Sequence, residues 1–236
     1  MNPLQIVVLD RDTLVNRPFE FDFPHTLSSY GTTEAHETLA RIRGADIVIT
    51  NKVVISAQAF AENPQLKLVA VTATGVNNVD VEAAKQNGTA VCNIRAYGNE
   101  SVAEHAFMMM ITLMRNLPAY QRDVAAGLWE NSPFFCHLGA PMRDLNGKTL
   151  AIFGRGNIGK TLATYAQAFK MNVVFAEHKH AQSVRDGYVS FDEAIRSADV
   201  VSLNCPLTPQ TANMIGEAEL QQMKPGAILI NCGRGG

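Results

Sequence analysis

Short runs of apolar, largely β-branched residues alternate along the chain with longer stretches whose apolar positions recur at helical spacing. In the first half QIVVLD from Gln5, ADIVITN from Ala45, LKLVAVTA from Leu66 and TAVCNI from Thr89 read as strands. Their unbroken apolar character suits strands covered on both faces, as in a parallel sheet. Between them the spacing predicts helices over 33–43 and 79–86, the second stopped by Asn87-Gly88. A mostly apolar helix is predicted over 101–116, opened by Ser101 with Glu104 three positions on, the spacing of a capping box, and closed by Pro118. Its stripe Ala106, Met109, Met110, Leu113, Met114 is expected to face a domain core, with an interface as the alternative, and Met108 widens the apolar surface toward burial on several sides. From Lys148 the pattern restarts: strands KTLAIFG, NVVFAEH, DVVSLNCP and GAILINCG, with helices over 159–169, FDEAIRSA and EAELQQM between them. Alternating β and α with right-handed crossovers means α/β architecture and a doubly wound sheet.

Composition narrows the classes. The 236 residues are 47% hydrophobic and 18% charged, enough for one large domain or two ordinary ones. A net charge of −2 with no long basic stretch argues against nucleic acid as a partner. The longest apolar run, 106–114, is far short of the ~20 residues a membrane span needs, and the start shows no secretory signal. Cys92, Cys136, Cys205 and Cys232 lie far apart without a CxxC pair, and each reads as a small buried residue rather than a disulfide half or metal ligand. A soluble, cytoplasmic setting is the expectation.

The most specific chemistry lies in Gly154-Arg155-Gly156-Asn157-Ile158-Gly159, between a buried strand and a helix. In that context the pattern is a dinucleotide fingerprint. Gly154 permits the tight turn, Gly156 lets the backbone approach a pyrophosphate, and Gly159 allows close helix–strand packing. The helix N-terminus then offers free N–H groups to the phosphates. Glu177, 18 residues after Gly159, ends the next strand, about where a carboxylate holds the adenosine ribose hydroxyls. A carboxylate there favours NAD over NADP. His178 and Lys179 follow directly, and a cation in that place could accept a phosphate instead.

TATGVNNVD (72–80), SVAEHAF (101–107), GKTLAIFGRGNIGKTLA (147–163), NCPLTPQT (204–211) and MKPGAILINCGRGG (223–236) come in the order found in D-isomer-specific 2-hydroxyacid dehydrogenases, which the whole chain resembles. GLWENSPFFC (127–136) is most similar to the glycerate dehydrogenase (hydroxypyruvate reductase) branch. The resemblance implies a flavodoxin-like substrate domain over 1–100, a connector and dimerisation region over 101–146, and a Rossmann NAD-binding domain over 147–236. It implies hydride transfer between NAD(H) and a small 2-hydroxy or 2-oxo acid, hydroxypyruvate/D-glycerate first, in a homodimer. Thr74 and Gly75 match the loop whose backbone N–H groups hold the substrate carboxylate. Val102 matches a position beside the nicotinamide, Pro206 and Thr211 match positions lining the adenine side, Cys205 matches a further cofactor position, and Cys232, Gly233 and Arg234 match the loop under the nicotinamide. Arg234 matches the arginine that binds the substrate carboxylate and polarises its carbonyl, a task suited to a planar, permanently charged fork. Trp129, Phe134 and Phe135 are expected at the dimer contact or near the partner's cleft.

One part of the family pattern is missing. A histidine that protonates the developing alkoxide, and a glutamate that orients it, follow the arginine loop in the family. His25, His36, His105, His137, His178 and His180 match neither place. A 3-2-1-4-5-6 sheet would also lack its last two strands, leaving AILIN as strand four at an edge, and the substrate domain would lack its returning segment. The expectation is therefore a fragment of a longer enzyme, inactive by itself. The alternative is a non-catalytic NAD-binding protein, either corepressor-like or a truncated pseudo-enzyme.

Overall fold

Every strand pairing in the computed structural model is parallel, as the both-face apolar runs require. Residues 2–14 and 18–235 are described, and Gly236, the last residue of the C-terminal motif, lies outside them. The chain divides into two units, Met1–Tyr97 and Gly98–Gly236.

In the first unit β1 (Leu4–Val8), β2 (His25–Ser29), β3 (Ile47–Thr50), β4 (Leu68–Val71) and β5 (Ala90–Asn93) form one sheet in the order β2-β1-β3-β4-β5. This is the flavodoxin-like order. Alternate residues serve opposite faces. Val7, Leu9, Val48, Val69 and Val71 pack with Ile42, Phe60 and Ala84 from α1 (Thr38–Ile42), α2 (Ala57–Ala61) and α3 (Val81–Asn87). Ile6, Val8 and Ile49 face the other way, against Phe19 and Phe21. Asp80 caps α3 by accepting from the Ala83 N–H, and Gly88 ends it at φ 75°, the left-handed geometry expected of the Asn-Gly stop.

Three features of this unit depart from the sequence pattern. β2 was not anticipated: HTLSS is polar and exposed because it is an edge strand with little to bury. The helix expected over 33–43 is confined to α1, because Thr33 Oγ1 donates to the Leu9 carbonyl and Arg41 reaches back to Thr33 and stacks 4.2 Å from the Tyr30 ring. The segment before α1 is thus pinned to the sheet rather than wound into a turn of helix. Buried Asp10, just beyond β1, accepts from the backbone N–H groups of Asn51, Lys52 and Val53 just beyond β3, at 2.6–3.3 Å. Cys92 on β5 is exposed, contrary to the expectation of a buried residue, because β5 is the opposite edge.

The second unit contains β6 (Thr149–Phe153), β7 (Asn172–Ala176), β8 (Val200–Leu203) and β9 (Ile228–Asn231), in the order β7-β6-β8-β9. Helices cover both faces. α4 (Asn99–Met114) and α6 (Asn157–Ala168) share a core with Leu150, Ile152, Val200, Ile228 and Ile230, and α7 (Phe191–Ser197) packs with Ala151, Phe153 and Val201 on the reverse. β9 was expected as strand four. A single parallel bridge, Ala176 to Val189, marks a residual strand outside β7, so β9 stands fifth once that bridge is counted. β9 is an edge among the described residues, with Leu229 partly exposed.

The connector also differs from expectation. α4 starts at Asn99 behind Gly98, without a side-chain cap, so Ser101 and Glu104 lie inside the helix and form no capping box. Pro118 does not close α4. Asn116 turns the chain at φ 50°, and Pro118 then sits in the first turn of α5 (Leu117–Ala125), where a missing N–H costs nothing. The apolar stripe divides: Ala103, Ala106, Met110 and Met114 are buried, whereas Met108 and Leu113 are exposed. A fifth helix, α8 (Glu217–Gln222), precedes β9. Among the described residues no helix is long and apolar enough to cross a membrane.

α4 and α6 are also joined by a hydrogen bond from Tyr165 Oη to Glu100 Oε2 at 2.5 Å. That carboxylate favours the neutral phenol and pushes the Tyr165 pKa up to about 12. The stabilisation is complete below the ordinary tyrosine value near 10 and is lost as pH rises through about 12. Tyr165, followed by its own NMR signal, should therefore still be un-ionised at about pH 11, and Glu100→Gln should return it to the ordinary range. Ionisation of Tyr165 near pH 10 in the folded protein would rule this contact out.

Candidate functional site

The fingerprint glycines each meet a different constraint. Gly154 follows β6 at φ 108°, and a Cβ there would lie 2.8 Å from the backbone of Asn204. A Cβ on Gly159 would lie 2.1 Å from the Gly154 carbonyl oxygen and 3.1 Å from Ile152 Cγ2, so this glycine sets how closely α6 approaches β6. A Cβ on Gly156 would meet nothing within 4 Å. The space before α6 is open there, and no side chain caps the helix. Asn157 is exposed at the helix start, and Ile158 packs into the core below. Free N–H groups, a helix dipole and an open approach fit a dinucleotide pyrophosphate.

A cleft beside this turn gathers Gly154, Arg155, Glu177, Cys205, Pro206 and Thr211, together with Phe153, His178, Arg185 and Tyr188. It continues into a larger pocket of about 760 Å³ lined by 178–181 and 205–214 except Leu207. Thr211 holds the second of these loops closed: its Oγ1 donates to the Pro206 carbonyl at 2.6 Å and accepts from the Thr208 N–H at 2.8 Å. Asn204 leaves its buried Oδ1 without a partner among the described residues. Burial pushes the Cys205 and Cys232 thiols up, so neither is poised as a thiolate.

Glu177 is at the end of β7, where the spacing places it, but its carboxylate is already engaged. Arg185 donates from Nε to Oε2 and from Nη2 to Oε1, each at 2.7 Å, and the N–H groups of His178 and Arg185 take the remaining sites. These donors hold the Glu177 pKa down at about 2. Lys179 is committed elsewhere, to Glu219 at 2.9 Å and the Met214 carbonyl at 3.0 Å. Arg185 and Tyr188 carry no motif and were not anticipated. The acid–base complementarity of Glu177 and Arg185, eight residues apart, was the one available signal.

Arg234 lies in a neighbouring pocket that shares Cys205, Pro206 and Thr211 with the cleft. The guanidinium is exposed, and among the described residues no carboxylate pairs with it. Asn231 fixes its loop by donating to the Arg234 carbonyl and accepting from the Gly233 N–H, both at 2.9 Å. Val102 is half-buried on α4 and lines none of these pockets. In the first unit Thr74 is exposed after β4, its carbonyl accepting from Asn93 Nδ2 at 2.6 Å, with Gly75 next to it in the same loop.

Comparison with known proteins agrees with this geometry. Residues 107–236 match the NAD-binding domain of D-isomer specific 2-hydroxyacid dehydrogenases. A Haemophilus influenzae protein named as a 2-hydroxyacid dehydrogenase is 41% identical over 98% of this chain and 74% of its own length. Glycerate dehydrogenase of Methylorubrum extorquens is likewise 41% identical, over 98% of this chain and 73% of its own. Among solved structures, D-lactate dehydrogenase from Aquifex aeolicus, complexed with NAD and lactic acid, superposes with a TM-score of 0.76 at 27% identity, covering 98% of this chain and 69% of that one. The α/β units, the NAD-binding domain and the two relatives of such length place the chain in the D-isomer specific 2-hydroxyacid dehydrogenase family.

Proposed function

We propose that the protein interconverts hydroxypyruvate and D-glycerate with NAD(H). The observation that carries this reading is Arg234: an exposed guanidinium with no carboxylate partner among the described residues, in a pocket continuous in its lining with the dinucleotide cleft. The glycerate dehydrogenase relative and the segment 127–136 support the choice of acid. Bound NADH supplies the hydride. Arg234 binds the substrate carboxylate and polarises the carbonyl, and Thr74 and Gly75, in the substrate domain of residues 1–100, offer backbone N–H groups to a carboxylate. Gly154–Gly159 carries the pyrophosphate, Cys205, Pro206 and Thr211 the adenine side, and Val102, Cys232 and Gly233 the nicotinamide. Residues 147–236 form the cofactor domain and 101–146 the connector and dimer contact. A second copy of the chain would cover Trp129, Phe134, Phe135 and Leu138, the last three 74%, 99% and 89% exposed, with Met108 and Leu113.

Among the described residues no histidine lines the pocket of Arg234. A general acid contributes about 10²–10⁴-fold, so residues 1–236 expressed alone should bind NADH yet turn over at least about 10²-fold more slowly than the protein purified from its native source. The assay follows NADH oxidation by both preparations with hydroxypyruvate, glyoxylate and pyruvate, after gel filtration to establish whether the native protein is a dimer. The highest kcat/KM is expected for hydroxypyruvate. Equal rates from the two preparations would place the acid within these residues, and preference for another acid would overturn the substrate assignment.

A further inference from the structure

The guanidinium that the proposed function gives to the substrate sits on a short turn just beyond the end of β9. Cys232, Gly233 and Arg234 follow Asn231, the residue at which the pairing of β9 with β8 ends. The Asn231 side chain ties this turn in two places. Its amide accepts from the Gly233 N–H through Oδ1 and donates to the Arg234 carbonyl through Nδ2, both at 2.9 Å. These partners also fix which end of the amide is oxygen, because an N–H needs an acceptor and a carbonyl needs a donor. A planar group carrying both is required, and the short stem of asparagine reaches backbone two and three residues on. The peptide between Gly233 and Arg234 is thus flanked by two peptides that the asparagine holds. Arg234 Nη1 donates to the carbonyl of that same peptide at 3.2 Å, which uses one of its five donors. Gly233 seats the turn from behind: a Cβ there would lie 3.3 Å from Asn231 Oδ1 and 3.3 Å from the Cys205 carbonyl oxygen. Asn231 and Arg234 line the same pocket.

We propose that Asn231 is the positioning residue for Arg234, fixing the backbone from which the arginine fork is presented and acting on the substrate only through it. The proposal rests on the reading of Arg234 as the arginine that binds the substrate carboxylate. An arginine stem is long and flexible, and a fork that must meet two oxygens at once tolerates little error in direction. Anchoring the Cα removes one source of that error. A displacement of about 1 Å at a reacting centre can cost about 10²-fold in rate, so a side chain that touches no substrate atom can still carry a large kinetic effect.

The test is a double-mutant cycle in the native protein: the parent, Asn231→Ala, Arg234→Gln and the two combined. Steady-state kinetics with hydroxypyruvate are read beside two dissociation constants, that of NADH and that of oxamate, an isostere of a 2-oxo acid, from the NADH complex. Asn231→Ala should lower kcat/KM by about 10–10²-fold and weaken oxamate in step, while NADH binding stays within about twofold of the parent. In the Arg234→Gln background the same change should cost less than about threefold, because the group it places is already gone. Asn231→Ser keeps an acceptor for the Gly233 N–H and should recover part of the loss, and it carries the cycle if Asn231→Ala fails to fold. An equal loss in both backgrounds, or NADH weakened as much as oxamate, overturns the proposal and leaves Arg234 as the substrate arginine. If Arg234→Gln itself leaves kcat/KM and oxamate binding unchanged, both readings fall.

Discussion

Gly159→Ala is expected to destabilise the second unit by more than about 3 kcal/mol and to abolish NADH binding. The added methyl would sit 2.1 Å from the carbonyl oxygen of Gly154. That oxygen is backbone, fixed between β6 and the turn, and on the other side Ile152 Cγ2 is already 3.1 Å away. No rotamer change can relieve such contacts. The helix must lift from the strand, and with it go the free N–H groups at its start. Gly156→Ala is the control: the Cβ meets no atom of the chain within 4 Å, so the melting temperature should hold while the methyl obstructs the pyrophosphate. Thermal melts by circular dichroism, paired with NADH titration, separate the two cases. A Gly159→Ala protein with the parent's melting point and affinity would show that α6 is not seated by this contact.

The second large effect is expected at Arg234. Under the proposed function its fork donates two charge-assisted hydrogen bonds to the substrate, each worth about 1.5–3 kcal/mol, so Arg234→Gln should lower kcat/KM by roughly 10²–10⁴-fold. Arg234→Lys keeps the charge but loses the paired geometry and should fall between. Steady-state kinetics on the native protein with hydroxypyruvate reads this directly. A loss below tenfold in Arg234→Gln, with NADH affinity changed as much as kcat/KM, would assign Arg234 to the cofactor loop rather than to the substrate.

Much of this was legible because burial writes itself into sequence. The strands covered on both faces, Leu150–Phe153 and Val200–Val201 among them, carry continuous apolar runs and were readable as a parallel sheet. β2 was not, because an edge strand buries too little to select apolar residues. Local capping signals misled at Ser101 and Pro118, where the real boundaries are set by Gly98 and by the left-handed turn at Asn116. The glycine fingerprint and Glu177 could be placed at the ends of β6 and β7 because backbone geometry and strand length fix their spacing. Arg185 and Tyr188 could not, because the loop between β7 and α7 has no periodic constraint and its contacts exist only once folded.

The clamp at Asp10 has a consequence for the division of labour between the two units. In an open parallel sheet the chain reverses its direction of winding once, here between β1 and β3, and the crevice beyond those strand ends is where such folds seat a ligand. Asn51, Lys52 and Val53 present three successive N–H groups at that place, the kind of concavity that receives an anion. Asp10 fills it from within, so the first unit carries its own counter-anion, and the nucleotide is left to the unit whose equivalent turn ends in Gly156.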